Sequence, residues 1–352
     1  MNTPTSAGPL RAAVVGLGAI GREHVDVYAA SARADLVAVV DPRPEAVAEI
    51  AERTGARGFS SVEDLLDAGG VDAVSLCTPD QLHHADAMRL IGAGVDLLCE
   101  KPIATDPAEA DALVLAAEAS SCVVMPGQTL RFEPRYHRAR ALVASGGVGE
   151  VAHGYLRRDN LTSVADRAGG RTSVAFFLGI HDIDALQWIT GQRVVSAQAM
   201  ASGALERTGS QSQAVLATLR LEGGAVVQME SAWNLPGDYP TELDAQLRLV
   251  GSTGVVAVTS FDAGMEVASG GFALPMTAGA PLYGMAQGAL AVEIASFVSA
   301  CLTRQAPPVS MREAASAVKV VVAIEEAVRT GRVVDVAEVA SAPSAPAEAG
   351  TH

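Results

Sequence analysis

Gly16-Leu17-Gly18-Ala19-Ile20-Gly21 is the stretch of sequence that decides the fold. It follows the apolar run 12–15, and a second apolar run, 36–40, ends at Asp41. A GxGxxG pattern alone is a weak signal. Here it stands between a strand pattern and a helix pattern near the chain start, with an acid at the expected distance. This context predicts a dinucleotide-binding turn.

Each glycine of the turn has a physical role. Gly16 permits the tight turn, Gly18 lets a pyrophosphate approach the backbone, and Gly21 lets the next helix pack close to the sheet. The helix predicted to begin near Ala19 and Ile20 points its N-terminal amides at the phosphates. A glycine-rich turn without a ligand is the alternative that the surrounding pattern disfavours.

Asp41 bears on which dinucleotide binds. Its carboxylate is expected to accept hydrogen bonds from the adenosine ribose and to repel a 2′-phosphate, which favours NAD over NADP. Arg43 lies two residues further on and leaves the use of NADP open.

Composition limits the classes of partner. The 352 residues suffice for two domains, and 49% hydrophobic content supplies a sizeable core. The net charge of −15 argues against nucleic acid or an anionic membrane as a partner. The four cysteines lack a metal-type spacing, which predicts a reducing compartment, no disulfides and no metal site.

Targeting signals are absent from the sequence pattern. Residues 1–9 lack a basic segment followed by an apolar one, and no run of 18 apolar residues suggests a membrane span. We therefore expect a cytoplasmic protein. The Ala/Pro/Ser/Glu-rich residues 340–352 are predicted to be a disordered tail.

Hydrophobic patterning predicts an α/β protein with two domains. In residues 1–127 strand and helix patterns alternate, which is typical of a doubly wound parallel Rossmann sheet. Residues 128–339 contain a run of strand patterns, a hairpin signal at 222–224 and two closing helices. They predict an α+β domain with an antiparallel or mixed sheet.

Polar residues at strand ends are candidates for chemistry, because doubly wound sheets bind ligands there. Thr78 and Pro79 end one strand, with His83 shortly after, and Glu100-Lys101-Pro102 ends the next. A desolvated lysine near a positive nicotinamide ring has a lowered pKa and can exchange a proton with a substrate hydroxyl. An ordinary surface lysine is an equally weighted alternative.

A second candidate is the segment 179–184, which contains His181, Asp182 and Asp184. We expect His181 at a helix N-terminus, where the dipole favours a neutral imidazole that hydrogen-bonds a hydroxyl. A capping or core histidine is the alternative. A metal site from His181 and Asp184 lacks further ligands in the sequence.

These motifs together resemble the Gfo/Idh/MocA family, the group of glucose–fructose oxidoreductase and inositol dehydrogenase. The resemblance covers most of residues 11–336, and Glu100-Lys101-Pro102 is its most specific motif. The other matching motifs are Gly16–Gly21, Thr78-Pro79 with His83, Arg131-Phe132, Gly149-Glu150, and Gly179 to His181 with Asp184.

The resemblance implies NAD(P)-dependent oxidation or reduction of sugars, cyclitols or related polyols. It implies that Lys101 is the catalytic lysine and that His181 is the substrate-side histidine. It also implies that the second domain, residues 128–339, has a large, open, mostly antiparallel sheet that lines the substrate pocket and forms a homodimer or homotetramer. The predicted cofactor-binding residues are Gly16, Gly18, Ala19, Ile20, Gly21, Asp41, Arg43, Thr78, Pro79, His83, Glu100 and Lys101. The predicted substrate-binding residues are Lys101, Arg131, Arg158, Asp159, His181 and Tyr283.

Phe177 departs from the family pattern, which commonly has an aspartate four residues before the histidine. Three explanations stay open. Lys101 and His181 suffice; or Asp159, Asn160 or Tyr283 supplies the missing contact; or the protein binds sugar and NAD without ordinary turnover, as a sensor. A variant of the enzyme hypothesis keeps the cofactor tightly bound while a sugar is transformed. We favour a dehydrogenase, because Lys101 and His181 are both present.

Overall fold

The structure is a computed structural model that describes residues 8–202, 213–260, 267–268, 272–273 and 282–339. The tail predicted to be disordered, 340–352, lies outside the described residues. Within the described part of the chain, no helix is both long and apolar enough to span a bilayer.

The first sheet is a doubly wound parallel sheet, as predicted. Its six strands stand in the order β3-β2-β1-β4-β5-β6, and all their pairings are parallel. The strands are β1 (Leu10–Val15), β2 (Ala34–Val40), β3 (Arg57–Phe59), β4 (Ala73–Leu76), β5 (Asp96–Glu100) and β6 (Val124–Gly127). The apolar runs 12–15 and 36–40 lie within β1 and β2, which each begin two residues earlier.

Helices connect these strands, and their starts follow the capping signals. Asp106 accepts hydrogen bonds from the amides of Ala108 and Glu109, and Ser61 accepts one from the amide of Asp64. The helices are α1 (Ala19–Ala29), α2 (Pro44–Thr54), α3 (Val62–Ala68), α4 (Asp80–Gly92) and α5 (Pro107–Ala119).

The second sheet has seven strands in the order β12-β11-β7-β10-β9-β8-β15. Only the β7–β10 pairing is parallel among these strands, so the prediction of a mostly antiparallel sheet is confirmed. Its strands are β7 (Val151–Leu161), β8 (Val194–Ala201), β9 (Ala214–Leu221), β10 (Val226–Leu235), β11 (Leu243–Gly251), β12 (Val255–Thr259) and β15 (Val334–Asp335). A separate pair comprises β13 (Val267–Ala268) and β14 (Phe272–Ala273).

Most helices of the second half pack on the second sheet, and one of them, α9 (Gly288–Thr303), packs on the first sheet. They are α6 (Pro134–Ala144), α7 (Thr162–Ala168), α8 (Ile180–Thr190), α9 (Gly288–Thr303), α10 (Met311–Thr330) and α11 (Val336–Val339). A 3-10 turn spans Thr129–Phe132 and a π-helical turn spans Ala175–Gly179. Ser310 and Glu313 form a capping box at the start of α10, as their spacing in the sequence predicts, and Gly331 is the C-cap residue after Thr330.

The hydrophobic core crosses the predicted domain boundary at residues 127 and 128. Phe297 and Val298 of α9 pack against the first sheet, in one cluster with Val14 and Leu98. Val318 of α10 belongs to the other cluster, which joins both halves of the chain. The division at residue 127 therefore separates the two sheets, while the packed interior is shared.

Candidate active site

The glycine turn fits a dinucleotide in its backbone geometry. Gly16 has φ +91°, and a Cβ there would lie 2.5 Å from the Cys77 carbonyl oxygen. A Cβ on Gly21 would lie 1.8 Å from the carbonyl oxygen of Gly16, whereas one on Gly18 would meet no atom within 4 Å. Gly16 and Gly21 are therefore required by the packing, and Gly18 faces open space.

The start of α1 leaves donors for an anion. Gly18 is the N-cap residue and supplies no side-chain hydrogen bond, so the first amides of the helix lack a side-chain cap. Ala19 and Ile20 at this helix start are exposed. This is the arrangement that a pyrophosphate requires.

Asp41 lies directly beside the turn. Its carboxylate accepts hydrogen bonds from the Leu17 amide at 2.8 Å and from the Arg43 Nε at 2.8 Å. Burial raises the pKa of Asp41, but the hydrogen bonds from Arg43 and from the Leu17 amide outweigh it and hold the pKa below its usual value. Asp41 is 5% exposed and the Arg43 guanidinium is half exposed, so a ribose there would share the carboxylate with Arg43.

The carboxyl end of β4 presents polar atoms without a partner. The Thr78 Oγ1 and the Asp80 Oδ2 are buried and have no hydrogen-bond partner within the described residues. Pro79 between them is the N-cap residue of α4. Because buried polar groups are normally paired, these atoms fit a site completed by a ligand.

His83 and Glu100, which the sequence predicts as cofactor-binding residues, are buried and bonded to the protein's own groups. The His83 ring nitrogens lie 2.6 Å from the Pro102 carbonyl oxygen and 2.7 Å from that of Thr78. Glu100 pairs with His24 at 3.2 Å and accepts a hydrogen bond from the Lys101 amide. Because the protein's own groups occupy these side chains, both hold the two strand ends in place.

Lys101 extends from the end of β5 to the π-helical turn. Its Nζ donates to the Phe177 carbonyl oxygen at 3.1 Å and lies 4.7 Å from the centroid of the Phe177 ring. Phe177 in turn packs against Trp233, with ring centroids 5.9 Å apart. Burial lowers the pKa of Lys101, and this effect exceeds the opposing attraction of Glu100 and Asp80.

His181 lies inside a continuous helix, so the predicted free helix N-terminus is wrong. Val174 is already helical, the π-helical turn follows, and Gly179 keeps helical dihedrals of φ −60° and ψ −32° into α8. The pKa of His181 is nevertheless held well below 6.5, by burial first and then by the charges of Lys101 and Arg158. The imidazole is therefore neutral near pH 7, for a reason other than the helix dipole.

Two buried ion pairs fix α8 and occupy two of the predicted substrate ligands. Arg158 of β7 binds Asp182 through two hydrogen bonds, at 2.8 and 3.0 Å. Arg131 of the 3-10 turn binds Asp184 in the same way, at 2.8 and 2.7 Å, and its Nη1 also binds Glu313. Both guanidinium groups thus position the helix that carries His181, and neither is free to bind a substrate.

The structure does not bring Asp159 and Tyr283 together with Lys101. Asp159 points to the opposite face of the sheet from Arg158, because neighbouring residues of a strand alternate. There the pKa of Asp159 is raised to about 7 by burial and by the charges of Glu230 and Asp244. Tyr283 is 94% exposed.

Asn160 is the remaining candidate to supply the contact that Phe177 lacks. It alternates to the same face as Arg158, and its Oδ1 is buried without a hydrogen-bond partner within the described residues. An unpaired buried oxygen on this face is available to a substrate hydroxyl.

Two further residues of the site were missed as individual predictions. Asp80 immediately follows Thr78 and Pro79, so the rule that placed ligands at strand ends would have found it. The sequence predicts that residues 233–239 line the pocket, but nothing in it shows that Trp233 meets Phe177. Among the described residues, no cluster of His, Cys, Asp or Glu could hold a metal ion.

Comparison with known proteins gives matches over most of the chain. A model of the Gfo/Idh/MocA oxidoreductase family, NAD-binding Rossmann fold, matches residues 10–128, and the model of the C-terminal domain matches 136–257. The inositol 2-dehydrogenase of Corynebacterium glutamicum is 30% identical over 241 residues, which are 67% of this chain and 71% of that protein. The UDP-N-acetylglucosamine 3-dehydrogenase of Acidithiobacillus ferrooxidans is 33% identical over 63% of this chain and 67% of that protein.

A solved structure shows the same fold. It is scyllo-inositol dehydrogenase from Lactobacillus casei with bound cofactor NAD(H) and scyllo-inositol. Its TM-score is 0.81 at 20% identity, and the alignment covers 94% of this chain and 99% of that one.

Proposed function

The chain belongs to the Gfo/Idh/MocA family of oxidoreductases, and on that premise we propose that it is an NAD-dependent dehydrogenase of a cyclic polyol or sugar, with Lys101 as the proton carrier. The observation that carries the assignment of Lys101 is its environment. The amine is buried at the end of β5, 3.1 Å from the Phe177 carbonyl oxygen and beside the helix that carries His181.

The cofactor would be held by the glycine turn at its pyrophosphate and by Asp41 at its ribose. The unpaired atoms of Thr78 and Asp80, which follow β4, would complete the site. When NAD is bound, its nicotinamide ring accepts or delivers the hydride.

Lys101 is suited to accept the proton that an alcohol loses on oxidation. Its lowered pKa increases the fraction of neutral amine near neutral pH, and that form is the base. The chain has only two lysines, Lys101 and Lys319, among 25 basic residues. Since an arginine cannot be deprotonated in a protein, a lysine at this position in an arginine-rich chain supports a role that requires titration.

His181 and Asn160 would orient the substrate. A neutral imidazole can both donate and accept hydrogen bonds with hydroxyl groups. The free Oδ1 of Asn160 can accept one more. Both groups bind without a change of charge, so the proton is exchanged at the Lys101 Nζ alone.

Phe177 and Trp233 give the pocket an apolar wall in place of the family's carboxylate. The two rings pack against each other beside the Lys101 amine. An aromatic face binds the C–H face of a sugar or cyclitol ring and offers no hydrogen-bond acceptor to a hydroxyl. We therefore expect a substrate with one face poor in hydroxyls, such as a deoxy, methylated or aryl-bearing ring.

The open face of the second sheet supports the predicted oligomer. Leu216 and Met200 are exposed there, at 53% and 77%, next to the polar group of Tyr155 and Glu230. An exposed apolar patch on an open sheet commonly marks an interface. Light scattering of the intact protein would distinguish a dimer or tetramer from a monomer.

The deciding experiment measures NADH formation by absorbance, with NAD and NADP each supplied, against inositols, aldoses, methyl and aryl glycosides and sugar acids. Turnover with a cyclic polyol or sugar, lost in Lys101→Met, is the expected result. Nucleotide binding without turnover across the panel would favour a sensor. A nucleotide that stays with the protein through gel filtration would instead favour the bound-cofactor variant.

A further inference from the structure

A second cavity lies at the C-terminal end of α8, whereas His181 lies at the N-terminal end of that helix. It has a volume of about 700 Å³ and is bounded by α5, α6, α8 and α10, so residues of both halves of the chain line it. We call it the rear pocket and define it by Arg140, Trp188, Arg193, Arg312 and Lys319. Its volume is in the range of small-molecule sites, and it shares no lining residue with the glycine turn or with Lys101 and His181.

The lining of the rear pocket contains more basic than acidic residues. Five basic residues line it, against three carboxylates, in a chain whose net charge is −15. The basic residues are Arg131, Arg140, Arg193, Arg312 and Lys319, and the carboxylates are Asp111, Glu222 and Glu313. A concave surface with this excess attracts anions.

Several of these cations can turn to a ligand. Arg193 pairs with Glu222 and Arg312 pairs with Glu118, but both arginines are more than two thirds exposed, at 74% and 71%. Exposed pairs contribute little energy, so the guanidinium groups can exchange them for a ligand. Arg140 has no carboxylate partner within the described part of the chain and lies over an aromatic ring instead.

That ring is Trp188, whose indole is flanked by two guanidinium groups. The Cζ of Arg140 lies 5.2 Å from its centroid and that of Arg131 lies 5.6 Å away. The indole offers a flat apolar surface, and Arg140 next to it offers a planar fork that matches a carboxylate or a phosphate. Arg131 is held by Asp184 and Glu313. Together the indole and Arg140 select a ligand with both a flat body and a negative charge.

We propose that the rear pocket is a second ligand site, separate from the active site, for a small organic anion that carries a phosphate or carboxylate on a flat ring. Arg140 and Trp188 are its central contacts, and Arg193 and Arg312 contribute charge at the rim. The site is independent of the proposed dehydrogenase activity, because it uses none of the residues that hold NAD or Lys101.

Calorimetric titration with phenyl phosphate tests the site, in the full chain saturated with NAD so that the pyrophosphate site is closed. We expect saturable one-to-one binding that weakens at least tenfold in Arg140→Glu and in Trp188→Ala. Arg138→Glu is the matched control: Arg138 is exposed on the same helix, lies outside the pocket lining and changes the net charge equally. It should bind phenyl phosphate within about twofold of the original protein.

Three further probes define the ligand chemistry. Phenol and inorganic phosphate each lack one of the two features and should bind at least tenfold more weakly than phenyl phosphate. Benzoate separates a carboxylate ligand from a phosphate ligand, and the tighter of the two names the anion. Thermal unfolding of each variant confirms that it folds.

Two results would overturn the proposal. Equal weakening by Arg140→Glu and Arg138→Glu would mean that general charge, rather than this pocket, attracts the probe. Absence of saturation with both phenyl phosphate and benzoate would mean that the cavity does not bind this class of ligand.

Discussion

The glycine turn and the Lys101 site differ in how the chain builds them. The turn uses one segment, Gly16–Gly21, and its specificity lies in backbone geometry. The Lys101 site draws Phe177 from 76 residues away, and Trp233 from further still, so it depends on packing between the two halves of the chain. A substitution at Gly16 or Gly21 should therefore affect folding. A substitution at Lys101 should affect the chemistry and leave the fold intact.

The largest effect is expected for Gly21→Ala. The new Cβ would lie 1.8 Å from a backbone oxygen of Gly16, and neither backbone can yield cheaply. We expect a loss of about 4 kcal/mol or more in unfolding free energy, or failure to fold. Gly18→Ala is the control, because its Cβ meets open space: it should unfold like the original protein but bind NAD more weakly. Normal stability of Gly21→Ala would contradict the packing argument.

Lys101→Met should reduce kcat by about 10²–10⁴-fold, the range for general acid–base catalysis. Stability should be kept or raised, because burial already disfavours the charged amine in the folded state. The sign follows from linkage: the lowered pKa costs stability below the pKa of the unfolded chain, and methionine removes that cost. Lys319→Met, which removes the only other lysine, should retain activity. A steady rate in Lys101→Met would remove Lys101 from the mechanism.

Arg158→Met tests whether the buried Arg158–Asp182 ion pair beside the Lys101 site stabilises the fold. It leaves Asp182 buried without its bidentate partner, and removing one member of such a pair costs about 3–5 kcal/mol. Urea unfolding measures the loss. The double variant Arg158→Met with Asp182→Leu should recover most of it, since no unpaired charge is left. A single variant as stable as the original would show that the pair does not hold α8.

The smallest effect concerns the ring under Lys101. An aromatic face favours the charged amine by about 0.5–2 kcal/mol, so Phe177→Leu should lower the pKa of Lys101 further. Oxidation needs the neutral amine, so the oxidation rate of Phe177→Leu should begin to rise at a lower pH than that of the original protein. Phe177→Asp adds a negative charge and should move the rise to higher pH. Shifts of the same sign in the two pH–rate profiles would exclude this electrostatic role.

Local signals explain why much of the fold could be predicted. Asp106 and Ser310 are the N-cap residues of α5 and α10, and the hairpin predicted at 222–224 joins β9 to β10. In each case neighbours within a few residues determine the backbone. The helix that carries His181 was predicted to begin too late, because the π-helical turn before it has no comparable sequence signal.

The side-chain partners of the candidate site were harder to predict. Sequence spacing placed Arg158 and Asp159 in one site, but strand alternation sends them to opposite faces, and only the sheet pairing shows which face meets α8. Likewise, the sequence predicts Arg131 as a substrate-binding residue, but the fold pairs its guanidinium group with Asp184 and Glu313. Contacts between residues far apart in the chain have no local signature.

The sequence by itself determined the dinucleotide turn, the two successive sheets and the identity of Lys101 and His181 as candidates. These follow from residue types and short spacings, because turns, caps and periodicity are set by interactions between near neighbours. Tertiary structure alone decided that Phe177, packed on Trp233, lies against the Lys101 amine and that Arg131 and Arg158 are paired with carboxylates of α8. It also decided that α9 completes the core of the first sheet, since burial and charge pairing depend on which distant segments are brought into contact.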